Sequence, residues 1–144
     1  MGKETDNAYD GYLFTFKSED WNEFDEFLDK WSVDHSTTEE WSSGPSKSIP
    51  KNAPIFLMKQ GKAPTGIIAS GFTASENHPM KRWSSRKQKM VPGRANVLRF
   101  THFLDPEKDR LLNINDLPKK NWASRASGVG LPPSLFRDIK SRWR

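Results

Sequence analysis

The sequence predicts a small α+β domain built around one β-sheet. Short runs rich in β-branched and aromatic residues recur along the chain, separated by polar stretches with Gly and Pro. Two other stretches repeat apolar side chains every three or four residues, the spacing of one helix face. The length of 144 residues is about that of one domain. We therefore expect a flexible N-terminus over residues 1–10 and a single domain over residues 11–144.

The first strand and the first helix follow each other closely. Residues 12–16, Tyr-Leu-Phe-Thr-Phe, are rich in β-formers and predict a strand. Ser18 is placed to cap a following helix whose first turn carries acidic residues. The apolar face of this helix consists of Trp21, Phe24, Phe27, Leu28 and Trp31.

The middle of the chain predicts a pair of strands. Residues 32–48 are polar and rich in turn formers, so we expect no regular structure there. Residues 55–58 are a short apolar strand, residues 60–64 resemble a hairpin turn, and residues 66–72 form the second strand. Gly71 lies where a β-bulge or a close backbone approach is expected.

The second half contains a predicted long loop, a strand and a closing helix. Residues 74–93 are basic and predict the loop. Residues 95–103 alternate as a strand, with Leu98 and Phe100 on one side and Phe103 on the other. Residues 111–117 predict a short helix or strand. Residues 132–143 predict a helix with Pro in its first turn and an apolar face of Leu135, Phe136, Ile139 and Trp143.

Charge is distributed unevenly. Residues 1–40 hold three Lys and twelve Asp or Glu, net −9, residues 41–144 carry net +14, and together they give +5. No acidic residue lies between Glu76 and Asp105. A basic surface attracts polyanions, of which nucleic acid is the commonest, and the alternative is a solvated loop kept soluble by its charge.

Several function classes are unexpected from this sequence. The chain has no cysteine, which excludes disulfides and thiolate metal sites and fits a cytoplasmic protein. None of the three histidines has metal-site spacing, and His78 resembles a solvated loop histidine. No apolar run approaches the roughly 20 residues of a membrane helix. No nucleophile–base set is visible, so we expect no enzymatic activity, no metal and no cofactor.

Three of the six tryptophans lie in polar stretches without helical partners: Trp41, Trp83 and Trp122. Trp41 is followed by Ser-Ser-Gly-Pro, which predicts a turn. Loop tryptophans beside Lys and Arg suit base stacking, because every base has a π-face and its phosphate lies nearby. The alternative is that each tryptophan anchors its loop on the core.

The run Trp41-Ser-Ser-Gly44, the strand Ile55-Phe-Leu-Met-Lys-Gln-Gly61 and the segment Pro64-Thr-Gly-Ile-Ile-Ala-Ser-Gly71 resemble the EVE-type domain of the PUA-like superfamily, which is related to YTH and SRA domains. With residues 12–16, Trp122 and Ser127-Gly128, the resemblance covers roughly residues 11–143. It is similar to the form found at the N-terminus of modification-dependent HNH restriction endonucleases. It implies a curved, β-barrel-like sheet flanked by helices.

The resemblance also implies a function, which is binding DNA that carries a modified base and flipping that base into an aromatic cage. The implied base is 5-methylcytosine or 5-hydroxymethylcytosine. The implied pocket residues are Trp41, Ser42, Ser43, Trp83 and Trp122. The candidate contacts to the nucleic-acid backbone are Lys47, Lys81, Arg82, Arg86, Lys87, Lys89, Arg94 and Arg125.

No HNH motif is present, so the expected role is the specificity module of a modification-dependent restriction system, fused to or working with a nuclease. Two alternatives stay open. One is a YTH-like reader of methylated RNA, and the other is a protein-interaction module that binds no nucleic acid. None of the three involves a membrane.

Overall fold

The structure is a computed structural model that describes residues 9–17, 24–35, 37–43, 48–61, 63–84, 86–113 and 127–143, with Arg82 and Trp83 described by their backbone. The strands are β1 (Gly11–Lys17), β2 (Thr38–Ser42), β3 (Pro54–Gln60), β4 (Gly66–Thr73), β5 (His78–Ser84), β6 (Lys89–Phe103) and β7 (Val129–Leu131). The helices are α1 (Phe24–Val33) and α2 (Pro133–Arg142).

The seven described strands form one mixed sheet that is curled into a half-barrel. Its order is β2-β6-β4-β3-β1-β7, and β5 pairs with β6. β1 and β3 run parallel, because α1 and β2 lie between them in the chain, and the other neighbours are antiparallel. The 15-residue β6 is the longest described strand, and it pairs with β5 over its first half and with β2 and β4 over its second.

Each face of the sheet is covered by one helix. On one face, Phe27 of α1 packs among Phe14, Leu57 and Phe100 in the first hydrophobic cluster. On the other, Ile139 of α2 packs with Leu13, Met58 and others in a second cluster. Alternate residues of β1 supply both clusters, because successive side chains of a strand point to opposite faces. This arrangement is the α+β curved sheet that the sequence predicts at the level of fold class.

Both helices confirm the predicted apolar faces. In α1, Phe27 is buried and Phe24, Leu28 and Trp31 pack against the first cluster. In α2, the apolar face is buried and Trp143 follows at the C-terminal end, with Pro133 at the start. Ser18 and Trp21 lie outside the described residues, so the predicted cap is not among the features seen.

Gly71 confirms the predicted close approach. The β4–β6 register shifts between Ser70 and Gly71. A Cβ atom at Gly71 would lie 2.0 Å from the carbonyl oxygen of Arg99, a backbone atom that cannot rotate away. The predicted turn at residues 60–64 lies between the antiparallel strands β3 and β4, where Gly61 has a φ of 86° and Lys62 is outside the described residues.

The predicted basic loop at residues 74–93 is wrong, because most of it is a β-hairpin. β5 pairs with β6 from His78 opposite Ala95 to Ser84 opposite Lys89. Charged side chains hide the period-two pattern, and proline usually argues against a strand. Both prolines lie where a strand has a described partner on one side only. Pro79 is in β5, which pairs with β6. Pro92 is in the part of β6 that precedes residues 95–99, where β2 pairs.

Two smaller predictions are also wrong. Residues 38–42, expected to be irregular, are the strand β2. Phe103 was expected opposite Leu98 and Phe100 but shares the first cluster with both. Across from the Gly71 irregularity, Phe100 pairs with Gly71 and His102 with Ser70, so Thr101 is an extra residue and the alternation changes side.

Of the element predicted at residues 111–117, the structure describes residues 111–113. Leu112 forms an isolated bridge to Ile67 there. The expected flexible N-terminus lies mostly outside the described residues, and Asp10 donates its backbone N–H to the carbonyl of Leu131. Neither described helix is long and apolar enough to cross a membrane.

Candidate nucleic-acid interface

Trp41 lies in the edge strand β2, and the turn predicted after it falls mainly on residues 44–47, outside the described residues. Its backbone pairs with Asn96 of β6. The ring meets Phe16 and Phe100 edge-to-face, at centroid distances of 5.9 and 6.1 Å, and its Nε1–H donates to the carbonyl of Thr15 at 3.1 Å. The side chain is half-buried. Three contacts on two strands therefore fix the orientation of a ring that is still in part accessible.

The two serines that follow Trp41 differ in their environments. Ser42 is half-buried and pairs with Ala95. Ser43 is fully buried, donates its backbone N–H to the carbonyl of Arg94 at 2.9 Å, and accepts a hydrogen bond at Oγ from Asn77 at 2.9 Å. A buried hydroxyl needs such partners, because leaving it without them costs about 1–3 kcal/mol.

Asn77 is the centre of a polar network. Its Nδ2 donates to Oγ of Ser43 and to Oδ1 of Asn96 at 2.8 Å, and its Oδ1 accepts from Nε of Arg94 at 2.7 Å. Asn96 is fully buried and donates to the carbonyls of Ile49 and Ser75. The network joins the end of β2 to the start of the β5–β6 hairpin and orients the half-buried guanidinium of Arg94.

Ser127 and Gly128 lie directly against this site. Gly128 has a φ of 79°, and a Cβ there would lie 2.4 Å from the carbonyl oxygen of Ser43, so no other residue fits without moving the backbone. Its N–H donates to the carbonyl of Leu13, and the Ser127 Oγ accepts from the N–H of Thr15. The Ser-Gly pair therefore packs β1 against the end of β2.

His78 is the first residue of β5 and not a solvated loop histidine. Its Nε2 lies 2.7 Å from Oε2 of Glu40 in β2, and its Nδ1 lies 3.1 Å from the carbonyl of Glu76. The hydrogen bond to Glu40, followed by the one to Glu76, raises the pKa of His78 above its ordinary value of 6.5. The pair connects β2 and β5, which lie on opposite edges of β6.

The β5–β6 hairpin carries most of the basic residues that the sequence analysis selected. Lys81, Arg86, Lys87 and Lys89 are exposed, and Arg94 is half-buried at the base of the hairpin. Arg82 and Trp83 belong to β5, and their backbones pair with Val91 and Met90 of β6. The hairpin is therefore a two-stranded basic ribbon, and its seven-residue length spans about 20 Å at 3.3 Å per residue.

The structure brings some of the predicted site residues together and separates others. Trp41, Ser42 and Ser43 adjoin Arg94, whereas Arg86, Lys87 and Lys89 lie at the far end of the ribbon. Lys47, Trp122 and Arg125 lie outside the described residues. Their predicted roles, and the role of Trp83 as a second wall, stay predictions.

Asn77 and Asn96 were not predicted as site residues from the sequence. Asparagine is depleted in strands, so Asn96 within the apolar run Ala95–Phe100 was a signal of a buried polar contact. Asn77 had no comparable signal, because it lies in the polar run Ser75-Glu-Asn-His78. Its role follows from the pairing of β5 with β6, and this pairing lies in the stretch that was predicted to be a loop.

No group of three or more Asp, Glu or His side chains within the described ranges is arranged to hold a metal ion. No family model, curated protein or solved structure matches the chain. The resemblance to the EVE-type domain therefore stays a prediction, and the functional argument depends on the geometry of the site.

Proposed function

We propose that this chain is a DNA-binding module that recognises a modified base, with 5-methylcytosine or 5-hydroxymethylcytosine as the candidate marks. The observation that carries the proposal is the network through Asn77, which joins the Trp41–Ser43 segment to the base of the basic hairpin. A partly accessible aromatic ring thus lies one strand away from a cationic ribbon. Base stacking and phosphate binding require these two features side by side.

The hairpin supplies the phosphate contacts in this proposal. It has no carboxylate of its own, because residues 77–104 contain no Asp or Glu. Each phosphate that a Lys or Arg neutralises releases condensed counterions, so affinity falls steeply with salt. Contacts of this kind orient the protein on the duplex but do not read the base sequence.

Trp41 supplies one wall for the modified base. Extruding a base from the duplex costs a few kcal/mol, and stacking on one aromatic ring returns about 1–3 kcal/mol. The contacts with Thr15, Phe16 and Phe100 hold the ring in place before a ligand arrives, which reduces the entropy lost on binding. Ser42 is the next residue of β2, so its half-buried side chain leaves the opposite face of the strand, and the edge of a base stacked on Trp41 is contacted by other groups.

The shape of the hairpin favours DNA over RNA. The major groove of B-form DNA admits a two-stranded β-ribbon. The major groove of A-form RNA is too deep and narrow for protein side chains to read. A methylated-RNA reader of this fold would instead need single-stranded bases at Trp41, with the hairpin on the flanking phosphates.

Fluorescence-polarisation binding tests the proposal with one duplex made with cytosine, 5-methylcytosine or 5-hydroxymethylcytosine, beside a methyladenine RNA. We expect a preference for one modified duplex that persists when the salt concentration is raised. A preference for the RNA would transfer the proposal to the YTH-like alternative. Negligible binding of every probe at about 0.1 M salt would contradict nucleic-acid recognition and support a protein-interaction module.

Variants of Trp41 separate the base-reading role from the structural one. Trp41→Phe keeps an aromatic face and loses the hydrogen bond to Thr15, whereas Trp41→Ala loses both. We expect Trp41→Ala to reduce the preference for modified DNA by about 5- to 150-fold, and Trp41→Phe to keep most of it. The control is Trp143→Phe, because Trp143 also donates from Nε1, to Ser70, but packs on the α2 face. Unchanged preference in a folded Trp41→Ala protein would contradict the role of the ring.

A further inference from the structure

The tip of the β5–β6 hairpin contains a cationic cleft of about 420 Å³. The side chains of Ser84, Arg86, Lys87 and Lys89 line it, and Met90 and Val91 contribute apolar surface. A cleft of this size accommodates a phosphodiester with part of its sugar. Three cations and one hydroxyl are typical of a site for a phosphate group.

The turn explains why these side chains surround one cleft. Ser84 and Lys89 are the last paired residues, and four residues connect them. Gln88 turns the chain with a φ of 55°, and the N–H of Lys87 donates to Oγ of Ser84 at 3.2 Å. Arg86 and Lys87, after Ser84, and Lys89, at the start of β6, therefore line the same opening.

No carboxylate among the described residues forms an ion pair with Arg86, Lys87 or Lys89, and like charges around one cleft repel one another, so the tip favours binding of an anion. The nearest acidic residues in sequence are Glu76, nine positions before the connecting residues 85–88, and Asp105, 17 positions after them. Cationic side chains also keep an exposed β-edge from pairing with another chain. That role does not require three of them to line one cleft.

The distance between the tip and Trp41 is set by β6. Ala95 pairs with Ser42, the neighbour of Trp41, and Lys89 lies six residues before Ala95 in the same strand. Six residues of extended chain span about 20 Å. With the ribbon lying along the duplex axis, this distance corresponds to about six base pairs, because base pairs of B-form DNA are stacked about 3.4 Å apart.

We propose that the cleft at the hairpin tip binds a backbone phosphate of the same duplex, about six base pairs to one side of the modified base. This inference rests on the proposed function and adds a second contact point to it. Because the ribbon extends from Trp41 in one direction, the footprint on DNA is asymmetric. The module then distinguishes a modified base near one end of a duplex from one near the other.

Duplexes of different flank length test this proposal. The modified base is placed with about ten base pairs on both sides, or with one flank cut to about three, first on one side and then on the other. Each duplex is titrated with the native protein and with the triple variant Arg86→Gln, Lys87→Gln and Lys89→Gln. The matched control is Lys51→Gln, Lys108→Gln and Arg137→Gln, which removes the same charge from other exposed positions.

We expect shortening one flank to weaken binding by the native protein about tenfold and shortening the other to have little effect. The tip variant should bind the long duplex about as weakly as the native protein binds the shortened one, with a salt slope lower by about one per lost phosphate. The control variant should retain the flank dependence.

Two results would overturn the inference. One is a tip variant that is weakened equally on all three duplexes, and the other is equal sensitivity of the native protein to both flanks. If the preference for the modified base persists in these cases, the proposed function stands and only the tip site fails. If no duplex binds, the proposed function fails as well, so the two failures are distinct.

Discussion

Replacing Asn96 with alanine should destabilise the domain strongly, although the side chain is small and touches no proposed ligand. The change leaves the carbonyls of Ile49 and Ser75 without their amide donor and removes one of the two acceptors of the Asn77 amide. Each buried polar group that loses its partner costs about 1–3 kcal/mol. Asn96 is fully buried, so water does not reach the site without local opening. Allowing for partial relaxation, we expect a loss of about 3 kcal/mol, or about 10 °C in Tm.

Urea unfolding, monitored by tryptophan fluorescence, measures this loss. An unchanged m-value would show that the variant exposes the same surface on unfolding as the native protein. Asn77→Ala and the double variant complete a double-mutant cycle. Because Asn77 and Asn96 share one hydrogen bond, the double variant should be more stable than additivity predicts by about 1 kcal/mol. A loss below about 0.5 kcal/mol for Asn96→Ala, or strict additivity, would refute the reasoning that a connected network stabilises this site.

Three further predictions follow from separate parts of the fold. Gly71→Ala should lower the free energy of unfolding in urea by about 3 kcal/mol or more, because the new Cβ would lie 2.0 Å from the Arg99 carbonyl oxygen. A loss as small as that of an exposed Gly→Ala change would contradict the close approach. Phe27→Ala should lower the free energy of unfolding by about 3–5 kcal/mol, because Phe27 is 3% exposed and its ring centroid lies 4.9 Å from that of Phe103. A loss near 1 kcal/mol would mean that α1 is poorly packed. Glu40→Gln should return the NMR-measured pKa of His78 toward 6.5. The stability added by the native pair should be present below that value and vanish as the pH rises through the raised pKa, whereas a pH-independent difference would contradict the pairing.

The elements predicted correctly are those whose side chains separate into apolar and polar faces. The α1 face of Phe24, Phe27 and Leu28 is one example, and the apolar face of α2 is another. The close approach at Gly71 was predicted on other grounds, from a glycine inside a strand pattern. The β5–β6 hairpin was missed because its side chains are mostly charged on an exposed ribbon, so pairing and not burial defines it. Phe103 was placed on the wrong side because one extra residue in a strand reverses the alternation, and the extra residue depends on the partner strand.

Some residues of the candidate site could be predicted from the sequence, but the way they are arranged could not. Trp41 was selected because the turn-like sequence after it is an unusual setting for tryptophan, yet pairing with β6 makes it part of a strand. Asn77 was not selected, because its three side-chain partners are 17, 19 and 34 residues away in sequence. Contacts at such separations depend on the assembled sheet, and a local pattern does not encode them.

The place of β1 in the sheet has a consequence for the order of folding. Its two neighbours are β3, more than 40 residues later, and β7, about 120 residues later, where Leu131 pairs with Gly11. Neither pairing can form locally, and the loop-closure entropy of both must be overcome before the sheet is complete. Sheets dominated by such distant contacts fold in milliseconds to seconds, slower than helical domains of equal size. Until β7 is in place, β1 has an unpaired edge, and an unpaired strand edge is a template for pairing with another chain.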